Sequence, residues 1–127
     1  MTWTPQSAGG SPAPYLRAIW GTDDKNLWAV GDMSVIAPVA MILHWDGIKW
    51  NTDPSFPLLL AGRLRGIWGS DANNIVAVGD NGAVAQWNGS GWASRASVSS
   101  SNLNGVSGSG TGSVWFVGDS GTIMKWS

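Results

Sequence analysis

The 127-residue sequence predicts an all-β fold assembled from three copies of one unit, each a sheet of four antiparallel strands. Three observations lead there. The stretch Leu64–Trp92, LRGIWGSDANNIVAVGDNGAVAQWNGSGW, recurs upstream as Leu16–Trp50 and downstream as Leu103–Trp126. Eighteen Gly, ten Trp and no Glu tilt the composition away from helix and toward short strands joined by tight turns. In two of the units, Asp46-Gly47 and Asn88-Gly89 separate tryptophans five residues apart, Trp45 from Trp50 and Trp87 from Trp92. Such dipeptides favour type I′ hairpin turns, in which both central residues take positive φ.

The copies align closely. Leu16, Leu64 and Leu103 correspond, as do Gly31-Asp32, Gly79-Asp80 and Gly118-Asp119, and also Trp45, Trp87 and Trp126. The offsets are 48 and 39 residues, near the ~40–50-residue period of a β-propeller blade. One domain is expected, with a closing strand and linker over 1–14 and blades over 15–62, 63–101 and 102–127.

Each blade reads as four strands. The first covers Tyr15–Trp20, Arg63–Trp68 and Asn102–Ser107, with small residues Ala18, Gly66 and Gly105 at its middle, where inner strands would crowd around an axis. The second covers Asn26–Gly31, Asn74–Gly79 and Ser113–Gly118, an apolar run that suits a strand covered on both faces. The third covers Met41–Trp45, Ala83–Trp87 and Thr122–Trp126, and the fourth surrounds Trp50, Trp92 and Trp3. Turn-forming segments at Gly21, Gly69 and Gly108 join the first strand to the second.

The third repeat reaches Trp126-Ser127 without a fourth strand, and Trp3-Thr4-Pro5 stands about as far before Leu16 as Trp50 does before Leu64. Propellers close with four or more blades, and an open arc of three leaves unpaired edges. The expectation is a homodimeric six-bladed ring with two-fold symmetry, formed by N-terminal strand exchange. Trp3, Thr4, Lys125 and Trp126 are the residues of that closure.

The first repeat differs by insertion. Six more residues separate Asp32 from Trp45 than Asp80 from Trp87, and the added stretch Met33–Met41 is apolar. The connection after Trp50 carries Phe56-Pro57-Leu58-Leu59-Leu60. Both insertions are expected on one face, either packed on each other or forming a binding surface. Candidate ligand-binding residues there are Met33, Val35, Ile36, Phe56, Leu58 and Leu59. Trp20 and Trp68 join them, because their third counterpart is Ser107 and the architecture needs them less; an indole also offers a flat face to a sugar ring.

Charge and composition remove several classes. Seven Lys and Arg against eight Asp leave a net charge of −1, which gives no basic footprint for nucleic acid. No Cys means no disulfide framework and no thiolate metal site. The opening MTWTPQSAGG has neither segment of a signal peptide. No apolar run approaches the ~18 residues of a membrane span, and mean hydropathy is zero. A soluble protein of unassigned compartment is expected, with no membrane partner.

The block W-G-[ST]-x-x-x-N-[LIV]-x-A-V-G-D…[IV]-x-x-W-[DN]-G-x-x-W resembles the repeats of large bacterial β-propeller proteins, over essentially the whole chain. It is similar, more loosely, to tectonin-type propeller lectins. Asp46-Gly47-Ile48-Lys49-Trp50 resembles a degenerate Asp-box of sialidase-type propellers, with Asp46 one position off the usual spacing; Asp-box residues in that family are structural. Trp45-Asp46 resembles the Trp-Asp of WD40 repeats, whose Gly-His pair this sequence lacks. The resemblance implies blades, and through the lectins it implies a carbohydrate ligand.

No catalytic set emerges. The single His44 has Gln86 and Lys125 as counterparts, which reads as an outward polar position on the third strand. Gly118-Asp119-Ser120-Gly121 matches Gly79-Asp80-Asn81-Gly82 and reads as a hairpin turn rather than a nucleophile loop. Asp32, Asp80 and Asp119, which recur after the second strand, read as turn caps, with a ligand or cation contact as the alternative. The expectation is a non-catalytic, lectin-like binding module without cofactor or metal. The alternative is a protein-interaction scaffold that uses the apolar insertions and takes no small-molecule ligand.

Overall fold

The computed structural model describes residues 1–9, 13–33, 36–53, 56, 62–96, 99–110 and 112–127, which form eleven strands in three antiparallel sheets. The first sheet holds β1 (Tyr15–Asp23), β2 (Asn26–Asp32), β3 (Ala40–Trp45) and β4 (Trp50–Thr52). The second holds β5 (Leu64–Asp71), β6 (Asn74–Gly79), β7 (Val84–Trp87) and β8 (Trp92–Arg95). The third holds β9 (Leu103–Ser109), β10 (Ser113–Gly118) and β11 (Ile123–Trp126). Within every sheet the strands neighbour one another in chain order.

The recurrent Gly-Asp has a steric cause. Each glycine passes so close to the first strand of its sheet that a Cβ would fall 1.8 Å from the Tyr15 carbonyl oxygen at Gly31, 1.9 Å from that of Arg63 at Gly79, and 2.0 Å from that of Asn102 at Gly118. Any side chain there would break the pairing. The aspartate that follows then returns to the same carbonyl: Asp80 N donates to Arg63 O at 2.9 Å and Asp119 N to Asn102 O at 2.9 Å.

First strands run longer than the sequence suggests, to Asp23, Asp71 and Ser109. The Gly-[ST]-Asp segments stay paired, with Asp23 opposite Asn26 and Asp71 opposite Asn74, so only two residues remain to turn. Aspartate side chains close those turns: Asp23 Oδ1 accepts from Lys25 N and Asp71 Oδ1 from Asn73 N, both at 2.8 Å.

The type I′ turns are not where Asp46-Gly47 and Asn88-Gly89 predict them. Of those four residues only Gly47 and Gly89 take positive φ. Both dipeptides sit in four-residue loops, closed by Asp46 N to Lys49 O and Asn88 N to Gly91 O. Asp46 Oδ1 accepts from Ile48 N and Lys49 N, and Asn88 Oδ1 from Ser90 N and Gly91 N, so the side chain supplies the turn. The I′ geometry lies one hairpin earlier, at Asn81-Gly82 (φ 58° and 74°) and Ser120-Gly121 (φ 59° and 70°). Those turns are closed by Ala83 N to Asp80 O and Thr122 N to Asp119 O.

The sheets stack face to face through two apolar seams, with first strands β1, β5 and β9 side by side. A Cβ at Gly66 would lie 3.4 Å from Gly105 Cα, so small residues let β5 and β9 approach. At the first seam Trp28, Val30 and Ile42 pack with Ile67, Ile75, Ala77, Ala85 and Trp92. At the second seam Val76, Val78 and Val84 pack with Leu103, Phe116, Val106 and Met124. Trp3 belongs to no strand and is 98% exposed. Its segment lies beside the first sheet, where Gln6 and Ala8 line hollows with Ile19, Leu43 and Trp50.

Candidate binding groove

A groove of about 150 Å3 opens between the second and third sheets, lined among others by Trp68, Ser70, Asn74, Val76, Gln86 and Trp126. One water needs roughly 10–15 Å3 on this scale, so the space suits a small molecule. Two differences from the first seam leave the groove open: a smaller residue within the repeat, and no counterpart of Trp92 beyond β11 among the described residues. Trp68, Val76 and Gln86 lie opposite one another across β5, β6 and β7. The same row in the first sheet is Trp20, Trp28 and His44. There the Trp28 ring fills the seam, 4.1 Å from His44, 4.9 Å from Trp87 and 5.5 Å from Trp92 between centroids. Val76 is far smaller than an indole, and the second seam keeps a void.

The polar groups of the groove are held by their neighbours. Asn74 Nδ2 donates to both oxygens of Asp71, at 3.0 and 3.1 Å, which turns its carbonyl oxygen into the remaining acceptor. Arg95 Nε donates to Gln86 Oε1 at 2.9 Å, leaving the Gln86 amide N–H groups to donate. Two indoles, an acceptor and a donor stand around a space that a ring with hydroxyl groups would fill.

Trp20 and Trp68 are less free than the sequence suggests. Trp20 lies on Gly69 of the next sheet and Trp68 on Gly108, each so close that a Cβ would fall 2.6 Å from the ring's Cη2. Both therefore lock neighbouring sheets together, and only Trp68 also borders the groove. The third-strand tryptophans are anchors too, with Trp45 Nε1 donating to Asp24 O and Trp87 Nε1 to Ala72 O, both at 3.1 Å.

None of the described insertion residues lines this groove. Met33 lines a separate hollow with Met41, Leu43 and Trp50. Ile36 is exposed, whereas Phe56 is buried edge-on against Trp92 at 6.3 Å. The two insertions meet where Gly62 N donates to Pro38 O at 2.8 Å. Val35, Leu58 and Leu59 lie outside the described residues. At the closure positions, Trp126 belongs to the groove, Lys125 Nζ stands 5.6 Å above the Trp115 ring, and Thr4 is exposed. Sequence reasoning missed Ser70, Asn74 and Gln86; the signal was Val76 standing where the flanking repeats carry tryptophan.

His44 is not an outward residue. It stacks on Trp28, and its Nε2 lies 2.6 Å from Asn26 Oδ1. Burial pushes its pKa below the usual imidazole value, with Asp53 and Asp46 opposing. The repeated aspartates tie first strands to turns. Asp80 takes hydrogen bonds from Arg63 N and from the Arg63 and Arg65 guanidinium groups. Burial alone would raise its carboxyl pKa; the Arg65 and Arg63 bonds and charges outweigh it and hold the group low. Asp32 binds Arg17 Nε at 2.6 Å, and Asp119 takes Asn102 Nδ2 and Asn104 Nδ2 at 3.1 and 2.8 Å. These three aspartates brace the fold. Among the described residues no group of three or more His and Asp side chains could hold a metal ion.

No protein-family model matches the chain, and no curated protein matches it significantly in sequence.

Proposed function

We propose that this protein is a non-catalytic binding module of the β-propeller type, lectin-like, taking a carbohydrate in the groove between its second and third sheets and working as a ring of two copies. One observation carries the ligand reading: Trp68 and Trp126 border a void whose polar lining, Ser70, Asn74 and Gln86, is already oriented by Asp71 and Arg95. Indole faces cover the apolar side of a sugar ring while amides bond its hydroxyls. The ring reading is supported by three sheets of one register stacked through two seams of one kind.

The test is a glycan array followed by calorimetric titration of the best binder at millimolar concentrations. The expected result is weak binding of one saccharide class, reduced at least about tenfold by Gln86→Ala, a loss of roughly 1.4 kcal/mol. An array with no binder, or a binder indifferent to Gln86→Ala and to Asn74→Ala, removes the proposal.

A further inference from the structure

The first two sheets end on a short outer strand opened by a tryptophan, Trp50 in β4 and Trp92 in β8. In the third sheet β11 is the outermost strand among the described residues. Beside it runs a hollow of about 330 Å3 lined mainly by apolar surface, with Val84, Arg95, Phe116, Met124, Lys125 and Trp126 around it. We infer that this hollow is the receptor for residues Trp3–Gln6 of a second copy, laid antiparallel to β11 as a fourth strand. The inference rests on the two-copy reading above and specifies how the copies join.

Spacing supports the donor. Trp50 precedes Leu64 by 14 positions, Trp92 precedes Leu103 by 11, and Trp3 precedes Leu16 by 13. Register supports it too. In the second sheet Trp87 faces Trp92, Gln86 faces Ala93, Ala85 faces Ser94 and Val84 faces Arg95. Carried over, Trp126 faces Trp3, Lys125 faces Thr4, Met124 faces Pro5 and Ile123 faces Gln6. The loop bond from Asn88 N to Gly91 O sets the alternation of the β7–β8 ladder, and it turns the Ser94 N–H away from β7. Pro5 takes that place, so the N–H it lacks is one the ladder does not use.

The end faces of the stack support the second copy itself. Side chains exposed at the two ends are counterparts of side chains buried at the seams. Ile19 is 61% exposed where Ile67 is 9%, and Ile123 is 67% exposed where Val84 is 6%. Leu16 at one end and Val117 at the other repeat the pattern against Leu64 and Val78. The outer face of the third sheet thus matches the surface that the first two sheets press onto their successors. The outer face of the first sheet matches the surface that receives it. Because the Trp3 segment runs beside that first sheet, stacking a second copy head to tail brings it to β11. Trp3 of that copy then stands beside Trp126 as Trp92 stands beside Trp87, 5.8 Å between rings, and faces Val76 as Trp92 faces Trp28. The second copy so supplies a wall of the groove.

The chain has no cysteine, so a double variant T4C/K125C reports on this register alone. A hydrogen-bonded antiparallel pair holds Cα atoms about 5.5 Å apart, within the roughly 4.4–6.8 Å that a disulfide spans. Mild oxidation should give a covalent pair with twice the 13.3 kDa chain mass on a non-reducing gel, and S7C/K125C, out of register, should not. Oxidised T4C/K125C that stays a single uncrosslinked chain, or that closes a disulfide within one chain, overturns the inference. Light scattering gives the second readout. Trp3→Ala should weaken pairing at least about tenfold, and removal of residues 1–6 should return single chains; a truncated chain that pairs undiminished overturns strand donation. None of these readouts involves sugar, so failure of the carbohydrate reading leaves them standing. A failed cross-link in a chain that still binds glycan faults the strand donation alone.

Discussion

Trp68 lies on Gly108 of the neighbouring sheet as Trp20 lies on Gly69, an indole resting on bare backbone at each of the two seams. The pairing fixes how closely consecutive sheets approach, and it ties a large residue of one repeat to the absence of a side chain in the next.

Alanine at either glycine should therefore be destabilising. A Cβ at 2.6 Å from the ring cannot be accommodated without moving it, and overpacking of this kind costs roughly 1–3 kcal/mol. Urea unfolding of Gly69→Ala and Gly108→Ala should show that loss. Gly112→Ala, with nothing within 4 Å of its Cβ, should show none. Equal behaviour of all three variants would mean the seams are looser than the contact distances imply.

Val76→Trp should fill the groove with the ring that Trp28 places at the first seam. Large-for-small changes in a packed core usually cost roughly 1–3 kcal/mol, but here a void of about 150 Å3 receives the side chain. The variant should keep its unfolding midpoint and its near-ultraviolet signature of packed aromatics. Saccharide binding should fall at least about tenfold. Binding that survives would place the ligand elsewhere.

Acid should weaken the second sheet through Asp80. Its folded-state pKa is depressed, so the stabilisation is full above the unfolded value near 3.9 and is lost as pH falls through the folded value. Asp80→Asn should cost about 2 kcal/mol near pH 6, given that the two arginines are about a third exposed and their charges partly screened. The gap between the variant and the parent should narrow progressively as pH falls below about 3.9. A gap that stays constant with pH would show that packing, and not charge, explains the loss.

His44 should give a second, milder dependence. Its folded pKa is lowered, so the unfolded chain takes up a proton first and stability falls as pH drops below about 6.5. His44→Gln, which installs the residue found at position 86, should flatten the stability profile between about pH 6.5 and pH 5. A parent profile that is already flat across that window would show that the imidazole titrates as freely as in the unfolded chain.

Much of the architecture was legible because it is written three times. Leu16, Leu64 and Leu103, the Gly-Asp pairs and the third-strand tryptophans fall at equivalent places in their sheets, and the strands follow from them. Turn chemistry was harder to read. Asn81-Gly82 and Asn88-Gly89 are the same dipeptide, and loop length decides between them: Asn88 sits in a four-residue connection that its own carbonyl organises, whereas Asn81 takes positive φ in a tight one. The groove was legible only in half. Trp68 was visible as a tryptophan without a third counterpart, but its partners came into view only once register placed Val76 between Trp68 and Gln86. Periodicity reveals what recurs, and the void depends on a residue that does not.

The second sheet is covered on both faces, with Leu64, Ile75, Ala77, Val78 and Ala85 all fully shielded. Among the described residues of one chain, the main contacts between units join the first sheet to the second and the second to the third. A single copy on its own melts from its ends inward, as a linear chain of coupled units does. Backbone amides of β6 then open only with the whole molecule, while those of β11 open in local excursions of low free energy. The groove lies on the border between these regimes, with Trp68 on the side that holds and Trp126 on the side that opens.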